Sequence, residues 1–568
     1  MTWSTLADLP NEILLLILHH LSTDDQDVLT VGKLCQRLNS VSIPYFLRRK
    51  GFSHPETSSI LNLQDQERYG DALAALSLYF PLREIKQLVF VLDTSESSRR
   101  NVHRINNLVS RLSSISSLRL VLRSSGEAWT LDSDFVVDFV SAIISLLQTI
   151  HLKSCDSLQI VHSHPFSIET NYVFQVSRRR TPFIVRNLAK FAQTLRGRLR
   201  CGKPLMDGFQ GHGWRYRQIT SNGPVQALLL PNLQMYQSGL SSLDLNTDFL
   251  FVPPFSVWVV ELMKHSAITS LSLSLSRNVT LQEFRHFLFP EIVKALPLLQ
   301  EIKVAFIRDE FLTTMVENLR HLRSLRKITL ALAFFGDLPR ISTSMSPILL
   351  PNLVSFTGSL PQAAYLFSSP VVCPSLRFLN IVVDFYFRKA CDRIAAARSF
   401  SVIKERFIKQ DIKPCVSICI SDMEPPSIPA TEANWKPGHC TILKSLLIVS
   451  RMTLTLPAFF LDEAEAEHQA AYALAWIDAF GGIQRLTLLA RTPVADDAAR
   501  EMRDSTLRAA IYSKRPDLQS FNVVDLLSDE YHAHWSNFRD DFARGLDGLP
   551  SVTMLKNNTA PPCVCSDF

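Results

Sequence analysis

A short pattern, apolar-x-x-apolar-x-apolar, recurs along most of this 568-residue chain and leaves few folds open to it. It reads Ile85-x-x-Leu88-x-Phe90, Ile115-x-x-Leu118-x-Leu120, Leu147-x-x-Ile150-x-Leu152, Leu240-x-x-Leu243-x-Leu245 and Ile268-x-x-Leu271-x-Leu273. It continues as Leu299-x-x-Ile302-x-Val304, Leu325-x-x-Ile328-x-Leu330, Leu376-x-x-Leu379-x-Ile381, Leu443-x-x-Leu446-x-Ile448, Ile483-x-x-Leu486-x-Leu488 and Leu518-x-x-Phe521-x-Val523. Pro297, Pro351, Pro374, Pro516 and Pro550 stand just ahead of an apolar position, as a turn that launches a short strand requires. The middle residues Leu243, Leu271, Ile302 and Ile328 step by 28, 31 and 26; a weaker copy at Leu353-x-x-Phe356 precedes Leu379. Later steps, from Leu446 through Leu486 to Phe521, widen to 40 and 35. Between strands, Leu281 to Ala295 and Phe311 to Leu322 carry helical apolar spacing, and Asp462 to Phe480 places Tyr472, Trp476 and Phe480 on one face before Gly481-Gly482. Short strands alternating with helices predict an α/β body with a parallel sheet.

At these periods the chain resembles the degenerate, irregular class of leucine-rich repeats, in which each unit adds one strand and one return helix. The resemblance implies a solenoid of parallel strands. The asparagine that follows the strand in strict repeats is mostly missing. A mixed α/β domain whose strands happen to follow prolines is the other reading of the same residues.

The first fifty residues follow a different rule. Asp8 is an N-cap candidate, Pro10 falls where a missing N–H costs nothing, and Glu12 suits the positive end of a helix dipole. Ile13, Leu14, Ile17, Leu18 and Leu21 form one helical face, which Leu15 and Leu16 widen beyond a half-buried surface. Asp24 or Asp25 can cap a second helix carrying Val28, Val31, Leu34, Cys35 and Leu38, and Pro44 can open a third that Gly51 closes. Gly32 costs the second helix about 1 kcal/mol relative to Ala. So small a unit cannot bury all this apolar surface by itself, so the leftover face needs a partner or the rest of the chain.

Leu9-Pro10-x-Glu12-Ile13-Leu14, then Leu34-Cys35-x-x-Leu38-Asn39 and Pro44-x-x-Leu47, resembles an F-box, the three-helix module that docks on the Skp adaptor of cullin-RING ubiquitin ligases. The likeness spans residues 5 to 52. It implies adaptor contacts at Leu9, Pro10, Ile13, Leu14, Ile17 and Leu21 from the first segment and Leu34, Cys35 and Leu38 from the second. An amphipathic hairpin that packs on the following domain is the competing reading.

Composition excludes several classes. At 46% apolar and 20% charged, the chain can build a large core. The most apolar stretch, Phe135 to Leu147, contains Asp138 and is too short to cross a bilayer, so no membrane role is expected. There is no basic and apolar leader pattern, and ten scattered cysteines read as reduced thiols, so the expected location is cytoplasmic, nuclear or both. Gly-x-Ser-x-Gly, Walker A, His-Glu-x-x-His and kinase motifs are missing, so neither catalysis nor a cofactor is expected. Cys415, Cys419, His439 and Cys440 are spaced too loosely for a zinc site, and Cys415 to Ile420 also reads as strand.

From Arg178 to Arg217 the pattern lapses and eleven basic residues face one acid, Asp207. That is +10 against +6 for the whole chain, so the positive charge is local. Arg178, Arg179, Arg180, Arg196, Arg198, Arg200, Arg215 and Arg217 are candidates for contact with an acidic partner; a solvated loop accounts for the same residues. Trp214 and Tyr216 alternate with Arg215 and Arg217, an arrangement also compatible with stacking on bases, although nucleic acid is not the expected partner.

The expected organisation is an α/β chain: F-box at 1–52, helical linker at 53–80, leucine-rich-repeat-like body at 81–558 with a basic insert at 178–217, and a flexible tail at 559–568. The implied function is a non-catalytic substrate receptor that binds the Skp adaptor, through it the cullin-RING ligase, and an unknown protein target. A stand-alone repeat scaffold is the alternative.

Overall fold

A computed structural model describes residues 6–21, 25–176, 210–218, 238–331, 347–421, 449–455, parts of 469–477, and 482–525, with short breaks inside these ranges. The chain divides into two units, Met1–Leu296 and Pro297–Phe568.

In the first unit, strands β1 (Ile60–Gln64), β2 (Glu84–Asp93) and β3 (Ser114–Arg123) are followed by Ser157–His162, Ser242–Asn246 and Ser270–Ser274, each parallel to the one before. Parallel neighbours need a crossover long enough to return the chain, and helices such as α5 (Glu96–Arg111), α6 (Asp134–Leu152) and Phe255–Lys264 supply it. Two apolar ladders run across these strands in register: Leu61, Leu88, Leu118, Leu158, Leu243, Leu271, and Leu63, Phe90, Leu120, Ile160, Leu245, Leu273. None of the twelve is more than 2% exposed.

The second unit repeats the plan with Glu301–Ala305, Lys327–Ala331, Ser355–Ser359, Phe378–Asp384, Cys415–Ser421, Val449–Thr455, Arg485–Ala490 and Ser520–Asp525, all parallel in sequence order. Ile302, Ile328, Phe356, Leu379 and Val416 form one ladder. A register shift between Val416 and Ser417 then sets Ile418 opposite Met452, and Leu486 and Phe521 carry that line onward.

The register is set at strand entry. The N–H groups of Thr269 and Ser270 both donate to the Ser241 carbonyl, at 2.8 and 3.1 Å, and those of Ser241 and Ser242 both donate to Asp156. The device recurs with Arg326 and Lys327 on Gln300, Val354 and Ser355 on Arg326, and Arg377 and Phe378 on Val354. Each of these turns is tied to the turn before it, so the first apolar residue of the strand it opens arrives in phase.

The structure redraws several expected elements. Leu147, Ile150 and Leu152 end α6, and the neighbouring strand is Ser157–His162 with Leu158 and Ile160 inward. An apolar-x-x-apolar step is also one helical turn, and Ile143, Ile144, Leu146, Leu147 and Ile150 are buried together on α6. The Leu443 to Ile448 copy lies outside the described residues, and Val449–Thr455 is the strand there. Residues 53–80, expected as a helical linker, contribute β1 as well as helix α4 (Glu67–Leu78), because Leu61 and Leu63 extend the two ladders. Helix Asp309–Leu319 lies where helical spacing foretold it, and the described residues within 469–477 are helical. The helix expected from Leu281 to Ala295 forms with a π turn at Phe284–Leu288.

Leu158→Ala, in the ladder, should cost about 2–5 kcal/mol, whereas Leu152→Ala should change stability by less than about 0.5 kcal/mol, as measured by denaturant unfolding of the two variants. Equal losses would restore the Leu147 to Leu152 segment to the sheet.

Candidate functional site

Three helices open the chain: α1 (Asn11–His20), α2 (Asp25–Leu34) and α3 (Gln36–Arg49). Asp8 lies in a 3-10 turn and Pro10 occupies the N-cap of α1, so the cap expected from Asp8 falls two residues early. Arg37 fixes this entry from α3, its Nη2 donating to the Leu9 carbonyl at 2.7 Å. Cys35 is extended, at φ −157° and ψ 166°, and ends α2, so Leu38 belongs to α3 and Pro44 sits inside α3 instead of opening it.

Gly32 accounts for its own cost. A Cβ there would stand 2.6 Å from Ile43 Cδ1 and 2.8 Å from Ser42 Oγ, so α2 and α3 pack as closely as they do because this residue has no side chain. Beside it Asn39, 1% exposed, donates from Nδ2 to the carbonyls of Gly32 at 3.0 Å and of Leu78 at 2.9 Å. One amide therefore ties α3 to α2 and to the end of α4. Gly51, at φ 93°, closes α3: its N–H donates to Arg48 O at 3.1 Å and that of Phe52 to Leu47 O at 2.8 Å, the paired bonds of a Schellman motif.

Residues 6–49 match the F-box domain. No curated protein matches the chain. The F-box match covers less than a tenth of the 568 residues, and within it the apolar residues divide into two groups. Leu14, Leu18, Val28, Leu29, Leu38, Ile43, Phe46 and Leu47 form its interior. Pro10, Ile13, Leu34 and Cys35 are exposed, and Leu9, Ile17 and Leu21 are half-buried. Of the residues expected to face an adaptor, Leu14 and Leu38 thus fill the space between the helices. Leu15 and Leu16, left out of that set, lie open, Leu16 at 57%. The over-wide stripe on α1 was their signal.

Of the basic insert, Arg178, Arg179, Arg180, Arg196, Arg198 and Arg200 lie outside the described residues. Arg215 and Arg217 are on strand Trp214–Gln218, which pairs antiparallel with Tyr172–Val176. Trp214 and Tyr216 are buried against Phe287, at ring-centroid distances of 4.1 and 5.9 Å, so neither is free to stack on a base. The Tyr216 hydroxyl donates to the buried carboxylate of Glu283 and lies 3.4 Å from Ser256 Oγ. Burial pushes the Glu283 carboxyl up from 4.5 to about 7, against the bonds from Tyr216 and the Thr280 backbone that favour its charged form. Burial, with the Glu283 charge beside it, also raises Tyr216 far above the ordinary tyrosine range.

Among the described residues no group of three or more His, Cys, Asp or Glu side chains could hold a metal ion. Cys415 and Cys419 stand on one strand; His439 and Cys440 lie outside the described residues. Among the described residues no helix is long and apolar enough to cross a membrane.

The Glu283 shift fixes a sign for stability against pH. Between pH 4.5 and about 7 the folded chain keeps a proton that the unfolded chain has lost. Stability therefore falls as pH rises through that window, by roughly 3 kcal/mol in all, and levels off above it. Glu283→Gln should remove this component and leave the variant relatively more stable at pH 8 than at pH 5, in paired urea titrations. A wild-type minus variant difference that stays flat with pH would contradict the assignment.

Proposed function

We propose that this chain is the substrate-recognition subunit of an SCF-type cullin-RING ubiquitin ligase. The F-box docks on the Skp adaptor, and the parallel-stranded body, read as an irregular leucine-rich-repeat-like solenoid, holds a target protein for ubiquitin transfer by other subunits. The chain has no catalytic step of its own in this reading. It works in the cytoplasm, the nucleus or both.

One observation carries the reading: an F-box whose interior is complete still leaves Ile13, Leu15, Leu16 and Leu34 exposed, at 43, 39, 57 and 65%. Large apolar side chains grouped on one short module mark a surface that a partner covers. The proposed contact set is Leu9, Pro10, Ile13, Ile17, Leu21, Leu34 and Cys35, with Leu15 and Leu16 added, while Leu14 and Leu38 support it from beneath. A solenoid end cap would instead cover such residues with the chain's own next element, and α4, bonded to the F-box through Asn39 and Gln26, leaves these four exposed.

Burial of each large side chain is worth about 1.5–3 kcal/mol, so Ile13→Asp with Leu16→Asp should lower adaptor affinity at least a hundredfold in a quantitative pull-down. The thermal unfolding of the body should be unchanged. Retention of the adaptor by a folded double variant would overturn the docking face.

A further inference from the structure

In the first unit a small antiparallel sheet of Tyr172–Val176, Gln210–Gly211 and Trp214–Gln218 stands separate from the parallel one. Strands of five, two and five residues bury too little to hold together alone, so this sheet depends on what it packs against. Phe174, Trp214 and Tyr216 make one aromatic cluster on it, and Phe287 of the body packs on Trp214 and Tyr216. Phe287 lies in the π turn Phe284–Leu288, a rare winding that here brings Phe284, Phe287 and Leu288 into the interior together.

Three buried oxygens meet inside this contact. The Tyr216 hydroxyl donates to the Glu283 carboxyl and lies 3.4 Å from Ser256 Oγ, and the three residues are 1, 4 and 0% exposed. Among the described residues no cation pairs with the carboxyl. The strand Tyr172–Val176 has no ionic residue, and its own phenol, Tyr172, stands opposite Gln218. On Trp214–Gln218 the titratable group that meets Glu283 is Tyr216, with Arg215 and Arg217 at the alternate positions. Helix Phe255–Lys264 contributes the neutral Ser256, while its Glu261 and Lys264 bond each other. On the π turn itself Arg285 and His286 are exposed, and Glu291 beyond it pairs with Lys264 and Lys294. An ionised Glu283 is therefore a buried charge with no counter-ion, a costly arrangement that a neutral carboxyl avoids. The same burial raises its carboxyl to about 7, which sets the change near neutral pH.

We propose that Glu283, Tyr216 and Ser256 form a proton-operated latch: with the carboxyl protonated the small sheet is docked on the π turn, and loss of that proton to solvent loosens it. The closed and open forms differ in whether the carboxyl is buried or in water, so proton binding favours the closed one. Between pH 4.5 and about 7 the closed form keeps a proton that the open form gives up. The ratio of open to closed therefore rises with pH through that window, by at most about three hundredfold, and is level above it. The two longer strands bracket residues 177–209, which include Arg178, Arg179, Arg180, Arg196, Arg198 and Arg200. The latch thus governs how firmly the two ends of that basic stretch are held, and it is independent of the ligase reading.

The test is amide hydrogen exchange of the full chain, read by mass spectrometry on fragments covering 172–176 and 214–218 and corrected for the intrinsic pH dependence of exchange. Protection of both strands should fall at least about thirtyfold from pH 5 to pH 8. At pH 8 it should also lie roughly tenfold or more below that of the ladder strand Ser242–Asn246, the mark of a local opening. Glu283→Gln, neutral at every pH, should abolish the response to pH while keeping the sheet docked. Tyr216→Phe removes the donor that favours the carboxylate and should move the fall to higher pH. Protection of Ser242–Asn246 in each variant checks that it is folded. Wild-type protection that does not change with pH overturns the latch, as does an equal fall in the folded Gln variant or an unmoved one in the Phe variant. Strands that exchange only together with Ser242–Asn246 also overturn it, because release then requires unfolding of the whole unit.

Discussion

A parallel strand cannot satisfy its backbone from within, and it cannot fold straight back on its neighbour. Every strand here therefore depends on the turn that starts it. At several strands of both units that turn places two successive N–H groups on one carbonyl of the preceding turn, as Thr269 and Ser270 do on Ser241 and Arg326 and Lys327 do on Gln300. This bond fixes phase, and phase decides everything above it. A slip of one residue would exchange the faces of Leu271 and Ser272, moving leucine out of the core and serine into it. The ladders are buried because the turns hold register.

The F-box solves a different problem, that of joining a helical module to an α/β body. Asn39 does this with one side chain, its amide spanning the carbonyls of Gly32 and Leu78. An unpaired carbonyl at either position would cost more than the bond returns in water, so the contact resists loss in a way that apolar packing alone does not. With one side of the module committed to α4, Ile13, Leu15 and Leu16 of α1 remain exposed. The buried Tyr216 and Glu283 pair plays a comparable part for the antiparallel strands Tyr172–Val176 and Trp214–Gln218, bonding the second to the helical turn that Thr280 caps.

Much of the strand pattern was legible because the apolar triplet and its preceding turn are local. It failed where one local pattern serves two structures: Leu147, Ile150 and Leu152 satisfy a helix as well as a strand, and only the length of α6, with Ile143, Ile144, Leu146, Leu147 and Ile150 buried together, separates them. Ile60–Gln64 escaped notice because a five-residue strand with only Leu61 and Leu63 inward carries too little signal until β2 lies beside it. In the F-box, the motif located the module, while the break at Cys35, the run of α3 through Pro44 and the close approach of α2 and α3 at Gly32 appear only in the folded structure.

The sequence by itself determined that a three-helix module precedes a body of alternating strands and helices, since hydrophobic period and turn chemistry act over a few residues. Tertiary structure decided which apolar residues of that module face outward: Leu14 and Ile13 are adjacent and equally apolar, yet one is 2% and the other 43% exposed. It also brought Tyr216 onto Glu283, 67 residues apart along the chain. Burial and adjacency of this kind depend on which distant segment arrives to cover or pair, and such contacts leave no trace in local spacing.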